Sequence, residues 1–381
     1  DLAGLWSTVW GPAFFRDTMS RNKFREIMRF IRFDIRSSRS ERLKNDKFCL
    51  ASEIWNKFIS NCKACYIPGE SITVDEQLFP TKARCRFTQY MANKPDKFGI
   101  KFWLAADTKT KYLLNSFPYL GKDETRPVDQ PLSEYVVMKL MEPFLNKGRN
   151  VTTDNFFTSI ELAKKLAKKN TTIVGTINRA RKEIPISAKE NKMNLYSTTI
   201  MKLDQSTLTI YQGKPNKNVI ILSTLHTTIT IDQEKKKKPE TILFYNETKY
   251  GVDILDQMAK KYSTNAGSRR WPVHIFYNIL DLAIINAWII YKEVTGQNIT
   301  RINFILNLAE ELRTEYKNLK KSATQPNSSK RQAKDSTRHQ CQIKKCKSNK
   351  TADNCVLCKK YVCGKCAGSV QTTVVCLNCA N

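Results

Sequence analysis

Apolar and polar positions alternate most regularly between Ser71 and Gly121, and the pattern there predicts three consecutive strands. Ile72–Phe79 carries Asp75 in its middle. Gly99–Ala105 sets Ile100, Phe102 and Leu104 on one face and Lys101 and Trp103 on the other, and Tyr112–Leu120 is again rich in aromatic and aliphatic side chains. Upstream, Met19–Asp34 spaces Phe24, Ile27, Met28, Phe30 and Ile31 at helical intervals. Arg21, Lys23, Arg25, Arg29 and Arg32 lie between them, suiting a solvated face or a phosphate backbone equally. A second helix, roughly Ala51–Cys62, is broken by Tyr66-Ile67-Pro68-Gly69.

Beyond the three strands, Pro131 precedes an amphipathic helix over Ser133–Met141, and a short strand over Asn150–Asn155 reaches Asp154. Thr158-Ser159-Ile160-Glu161 reads as a capping box opening a helix over Ser159–Lys169, and Thr171–Ile177 is a β-branched strand. The order to this point is β-β-β-α-β-α-β. From about Asn178 to Tyr245 the pattern changes to short strand-like pieces (Leu208–Tyr211, Asn218–Leu222, Thr227–Ile231) and lysine-rich turns, including Lys235–Lys238, which reads as a basic, strand-rich insertion. Tyr250–Tyr262 then begins a helix with Asp253 and Asp256 three apart on one face. His274–Val294 is the most apolar run, but its Asn278, Asp281 and Asn286 suit a buried helix better than a bilayer span. A further helix is expected over Ile302–Leu319, and a flexible polar linker over Lys320–Gln340.

Asp75 needs a reason to sit inside a strand. An edge strand facing water would be sufficient for an isolated Asp. On this frame, however, strands one and four are neighbours in a mixed sheet, so Asp75 and Asp154 meet at one end, where Asp253 from the last helix completes a cluster. Grouped carboxylates repel one another unless cations neutralise them, and oxygen ligands of this kind suit Mg²⁺ or Mn²⁺. Two such ions would serve phosphoryl transfer. Spacing alone leaves a turn role for Asp154 and a helix-capping role for Asp253 open.

Charge narrows the partner. Against 35 Asp and Glu stand 64 Lys and Arg in 381 residues, a net charge of +29 with a pI near 9.7. Nucleic acid is the expected polyanion. No lipidation motif or basic membrane-binding helix is evident, so no membrane partner is expected. The chain opens at Asp1 without a Met or a signal peptide and reads as a fragment. Of twelve cysteines, eight crowd into the last 41 residues as Cys341-x4-Cys346, Cys355-x2-Cys358, Cys363-x2-Cys366 and Cys376-x2-Cys379. Four thiolate pairs in a segment this poor in apolar residues point to two structural Zn²⁺ sites. A cross-brace would place Cys341, Cys346, Cys363 and Cys366 on one ion and Cys355, Cys358, Cys376 and Cys379 on the other; sequential pairing stays open. His339 is an alternative ligand only if Cys341 is unused.

ITVDEQLFP, YMANKPDKFGIKFWLAAD, FPYLG, VTTDNFFTS, TIVGTINRARKEIP, FYNETKYGVDILDQM and RRWPVHIFYNILDLAIINAWIIY, in this order, resemble the piggyBac transposase family from about Met19 to Val294, and the tail resembles that family's cysteine-rich end. The resemblance implies an α/β chain with an RNase H-like catalytic domain of DDE type, interrupted by a β-rich insertion. It implies helical dimerisation and DNA-binding residues over 1–70, with this domain truncated at its start, and catalytic segments over 71–177 and 246–319. The insertion would occupy 178–245, a basic linker 320–340 and a zinc-binding domain 341–381. By motif, the catalytic aspartates fall on Asp75, Asp154 and Asp253, with Asp256 a further acidic position linked to activity. Lys101, Arg269, Arg270 and Trp271 are candidate DNA contacts; a basic turn with Trp in the core is the alternative for the last three.

The implied mechanism is metal-dependent cut-and-paste transposition. Metal-activated water nicks each transposon end, the freed 3′-hydroxyl forms a hairpin on the opposite strand, and the reopened ends join TTAA targets. A nuclear homodimer acting on terminal repeats is implied. The family's tail commonly has a His where Cys366 stands here, an exchange that zinc tolerates. RING- or PHD-like roles for the tail, and a domesticated or decayed copy that binds DNA or chromatin without cutting, are the rival readings.

Overall fold

A computed structural model of the chain describes residues 2–92, 94–122, 126–189, 193–234, 236–323, 338–343, 346, 349–368 and 375–376. It divides into two compact units, Asp1–Thr314 and Glu315–Asn381. In the first, helices α1 (Ala13–Thr18), α2 (Arg21–Phe30), α3 (Arg39–Asn45) and α4 (Ser52–Ala64) lead into strands β1 (Ser71–Pro80), β2 (Thr88–Tyr90), β3 (Phe98–Asp107) and β4 (Leu113–Pro118). Then follow α5 (Leu132–Met141), β5 (Asn150–Thr153), α6 (Ile160–Ala167), β6 (Thr172–Thr176), α7 (Ile186–Lys189), β7 (Thr198–Leu203), β8 (Ser206–Lys214) and β9 (Lys217–Ser223). A two-residue pair, β10 (Ile231–Asp232) and β11 (Lys238–Pro239), precedes α8 (Glu240–Thr248), α9 (Gly251–Lys261) and α10 (Trp271–Thr295), and α11 (Arg301–Ala323) begins in this unit and continues past residue 314.

β3 runs antiparallel to β1, β2 and β4, while β1, β5 and β6 lie side by side and parallel. This is the RNase H-like mixed sheet that the resemblance implies. β1 is therefore an interior strand, and the edge-strand reading of Asp75 is overturned. The β-rich segment does not stand apart: β9 pairs with β6, and β8 and β7 follow, so the sheet continues through it to nine strands. The strand expected over Thr227–Ile231 is confined to β10, and α8 takes up residues 240–248, where the sequence reading carried the insertion on to Tyr245.

The alternation on β3 is correct, but both of its faces are covered. Ile100, Phe102 and Leu104 are buried on one side, and Trp103 and Ala105 on the other. Trp55 of α4 stacks on Phe102 with centroids 4.5 Å apart, and Phe48, Phe87 and Trp271 complete an aromatic block around it. α10 passes the hydropathy and length criteria for a membrane span but runs through this core. Its polar residues are anchors there: Asn286 Oδ1 accepts from the Leu113 N–H at 2.8 Å and its Nδ2 donates to the Leu113 carbonyl at 3.0 Å. Asp281 accepts from the Ser263 hydroxyl and the Thr264 N–H, and Asn278 donates to Gln77 of β1. α2 is shorter than the apolar pattern implied. Ser20 caps its start, and at its end the Arg270 guanidinium donates to the Met28, Arg29 and Ile31 carbonyls.

The second unit contains the short strands β12 (His339–Gln340), β13 (Lys350–Thr351), β14 (Ala367–Gly368) and β15 (Val375–Cys376). Of the expected linker 320–340, Lys320–Ala323 finish α11 and His339–Gln340 form β12; residues 324–337 lie outside those described.

Candidate active site

Asp75 sits in the middle of β1. On the neighbouring parallel strand Val74 lies opposite Thr153, the last residue of β5, so the next residues along the two chains are Asp75 and Asp154. The turn after β5 is rigid: the Asp154 carboxylate accepts the Phe156 N–H at 3.0 Å and its carbonyl accepts the Thr158 hydroxyl at 2.7 Å. Thr158 is thus tied back to Asp154, and Ser159 is the residue that caps α6, through the Leu162 N–H at 3.0 Å. The cap lies one residue later than read, which puts Leu162 rather than Glu161 at the third helical position and leaves a simple N-cap instead of a capping box. Gly175 makes room for this turn, since a Cβ there would lie 2.2 Å from Thr158 Oγ1 and 2.6 Å from the Thr153 carbonyl.

Asp253 arrives from α9. The Thr73 hydroxyl donates to the Thr248 carbonyl at 2.7 Å and Thr152 donates to the Thr248 hydroxyl at 2.9 Å, stitching the end of α8 to β1 and β5. Gly251, the first residue of α9, packs on Thr73 so closely that a Cβ would stand 2.4 Å from Thr73 Oγ1. The carboxylates of Asp75, Asp154 and Asp253 then line one cleft of about 170 Å³, together with Thr152, Tyr245, Lys249 and Tyr250.

Burial pushes the Asp75 carboxyl well above the usual carboxylate range, and the neighbouring charges of Glu76, Asp154 and Asp253 push the same way. Asp154 is raised too, mainly by burial, although the Phe156 and Phe157 N–H groups and Lys101 oppose the shift. A cleft that crowds carboxylate oxygens, with Asp75 and Asp154 both raised, suits a hard divalent cation. Asp75, Asp154 and Asp253 fit Mg²⁺ or Mn²⁺ by donor chemistry.

The other predicted residues are placed differently. Asp256, one turn beyond Asp253, is not brought to the cleft; it accepts from Gln77 Nε2 at 2.9 Å and pairs with Lys260 at 3.0 Å. Lys101 is largely enclosed, 3.9 Å from Glu76 and 3.9 Å above the Trp103 ring, and burial lowers its pKa against the pull of Glu76, Asp75 and Asp154. Arg270 caps α2 and Trp271 packs against Phe48 and Phe87, whereas Arg269 is exposed. Sequence reasoning missed Glu76 and Lys249. Glu76 is adjacent to Asp75 and the only signal was VDE itself; Lys249 becomes visible only once α8 and α9 are seen to meet at the cleft.

Comparison with known proteins bears on this arrangement. A family model described as Transposase IS4, of the DDE type, matches residues 1–288. A solved piggyBac transposase, in a synaptic complex with hairpin DNA, superposes with a TM-score of 0.80 at 32% identity, covering 100% of this chain and 84% of that one. The chain belongs to the piggyBac-type DDE transposases. Among curated human relatives, PiggyBac transposable element-derived protein 3 is 25% identical over 280 residues, covering 68% of this chain and 46% of its own length. PiggyBac transposable element-derived protein 2 is 21% identical over 294 residues, covering 72% and 49%. The chain spans about half the length of these curated relatives.

In the second unit of this piggyBac-type chain, Cys341, Cys346, Cys363 and Cys366 converge, their sulfur atoms all within 4.8 Å of one another. The Cys346 and Cys363 sulfurs lie 3.6 Å apart, close to the edge of about 3.8 Å that a tetrahedron with Zn–S bonds of about 2.3 Å requires. The Cys363 N–H donates to the Cys341 sulfur and Asn349 Nδ2 to the Cys363 sulfur, the kind of outer support that orients thiolate ligands. The Asn349 bond pulls the Cys363 thiol down to about 6. The interleaved order of these cysteines is that of a cross-brace, and the cluster can bind zinc. Cys355 is buried beside Val362 with Cys358 packed nearby. Cys379 and the Cys376 side chain lie outside the described residues.

Proposed function

We propose that this chain is the catalytic part of a cut-and-paste DNA transposase, with Asp75, Asp154 and Asp253 holding two divalent cations against the scissile phosphodiester. The observation that carries this reading is the convergence of three carboxylates, from mid-β1, the end of β5 and the start of α9, on one cleft. Bound there, the ions would supply an activated water and charge neutralisation at the leaving oxygen. The protein's own contribution is to hold the three carboxylates rigidly, through the Phe156 amide, the Thr73–Thr248–Thr152 stitching and the Gly251 contact. Lys249 at the cleft brings positive charge to the phosphate.

In the first step the water oxygen bonds to phosphorus as the bond to the 3′-oxygen breaks, leaving a 3′-hydroxyl and a 5′-phosphate. The 3′-hydroxyl is the nucleophile for hairpin closure and, after reopening, for joining at TTAA. Hairpin DNA in the solved relative supports the first of these, and the family resemblance the second. Terminal-repeat DNA as substrate, a homodimer, a nuclear location, Asp256 as a positioning acid and Arg269 as a DNA contact belong to the same proposal. So do two zinc ions in the tail, the second on Cys355, Cys358, Cys376 and Cys379. The intact carboxylate set disfavours a relic that binds without cutting.

The test is nicking of labelled duplex bearing the element's own ends, by purified protein in Mg²⁺, with Asp154→Asn beside it. Nicked and hairpin products that vanish in the variant support the proposal. Tight binding with no cleavage would sink it.

A further inference from the structure

The residue two beyond Asp154 presents an exposed aromatic ring. Phe156 is 44% exposed, yet its ring is held more firmly than a surface side chain usually is. One face lies parallel on Trp103, with centroids 5.8 Å apart and planes 9° from parallel, and Phe157 meets its edge at 4.9 Å. Trp103 is itself fully buried and braced by Phe157 and Tyr119. The Phe156 backbone is pinned on both sides of its Cα, its N–H donating to the Asp154 carboxylate at 3.0 Å and its carbonyl accepting from Arg181 Nη2 at 3.4 Å. Lys101 lies 5.8 Å from the ring centroid.

Single exposed apolar side chains are ordinary. This one differs in being pre-ordered by a buried aromatic stack and linked by its own amide to a carboxylate of the cleft. Resting on the DNA-cleavage reading above, we infer that the open face of Phe156 is a stacking site for an unpaired nucleobase next to the scissile phosphate. An unpaired base has a π-face of matching size, stacks without regard to its identity, and gains most on a ring whose orientation is already fixed. Hairpin closure turns a strand sharply at the cleavage point, so a base there must leave the duplex stack. Phe156 supplies its replacement partner. The occupant is nucleic acid rather than protein because the ring belongs to the turn that holds Asp154, on a chain with a net charge of +29.

The test is binding in Ca²⁺, without cleavage, to two duplexes carrying the element's end: one fully paired, one with a single unpaired nucleotide at the cleavage junction. The wild-type chain is expected to prefer the unpaired duplex by about 5- to 150-fold, the range of one base–aromatic stack. Phe156→Leu, which keeps Trp103 covered but removes the π-face, loses that preference while binding the paired duplex as before; Phe156→Trp keeps it. No preference in the wild type, or an unchanged preference in Phe156→Leu, overturns the inference. A preference that depends on Phe156 in a protein that never cleaves in Mg²⁺ would retire the catalytic reading and leave the stacking site standing.

Discussion

Asp75 shows how one residue can be costly to the fold and necessary to the chemistry. Its pKa is raised in the folded chain, so protonation is favoured there over the unfolded state. Without a divalent cation, Asp75 therefore leaves stability intact below the unfolded carboxylate pKa and subtracts from it as pH rises through the raised value. Thermal melts in chelator should fall across that window and flatten in Asp75→Asn, which should melt a few degrees higher at neutral pH. Mg²⁺ should raise the wild-type melting temperature and leave that of the variant unmoved. Gly251 makes the opposite point, since its lack of a side chain is what lets α9 touch Thr73. Gly251→Ala should cost about 1–3 kcal/mol in denaturant titration and weaken Mg²⁺ binding, because α9 carries Asp253 away as it shifts. The motif GVD was legible in the sequence; the reason for its glycine was not, because Thr73 is 178 positions upstream.

α10 reads as apolar over almost its whole length, and its three polar interruptions explain how it docks. Asn286 pairs with both the N–H and the carbonyl of Leu113, the first residue of β4, and Asn278 reaches Gln77 in β1, which in turn holds Asp256 of α9. Asn286→Ala leaves a buried N–H and C=O unpaired and should cost about 1–3 kcal/mol, measured by chemical denaturation, with little change in Mg²⁺ affinity. If affinity fell as far as stability, β4 would be coupled to the cleft in a way these bonds do not indicate. Arg270 works similarly at the end of α2. Its basic character drew attention as a DNA contact, but local sequence carries no record of the three carbonyls that it satisfies.

For the whole chain, the division at residue 314 and the net charge have separate consequences. Chelation should open the second unit to protease around 338–368 while 1–314 stays resistant, because a thiolate cluster with so small an apolar core as Cys355 and Val362 has little else to hold it. Resistance of both units after complete metal removal would show that zinc is not structural here. DNA binding should weaken steeply as salt rises, as expected when many phosphates are neutralised.

Short-range patterns in the chain were enough to place β1, β3, β4, β5 and β6 and to pair Cys341 and Cys346 with Cys363 and Cys366 as one of two arrangements, while Asp75, Asp154 and Asp253 were marked by the motifs that resemble the family's. Strand alternation, helical periodicity and CxxC spacing are local, and they survive in the sequence as written. Other features depend on residues far apart. The burial of Asp75 needs β3 and β5 on either side of it, and the continuation of the sheet through β9 needs an edge offered by β6. The exclusion of Asp256 depends on Gln77, and the enclosure of Lys101 on Glu76 and Trp103. No window of neighbouring residues contains those partners, so packing alone assigns the roles.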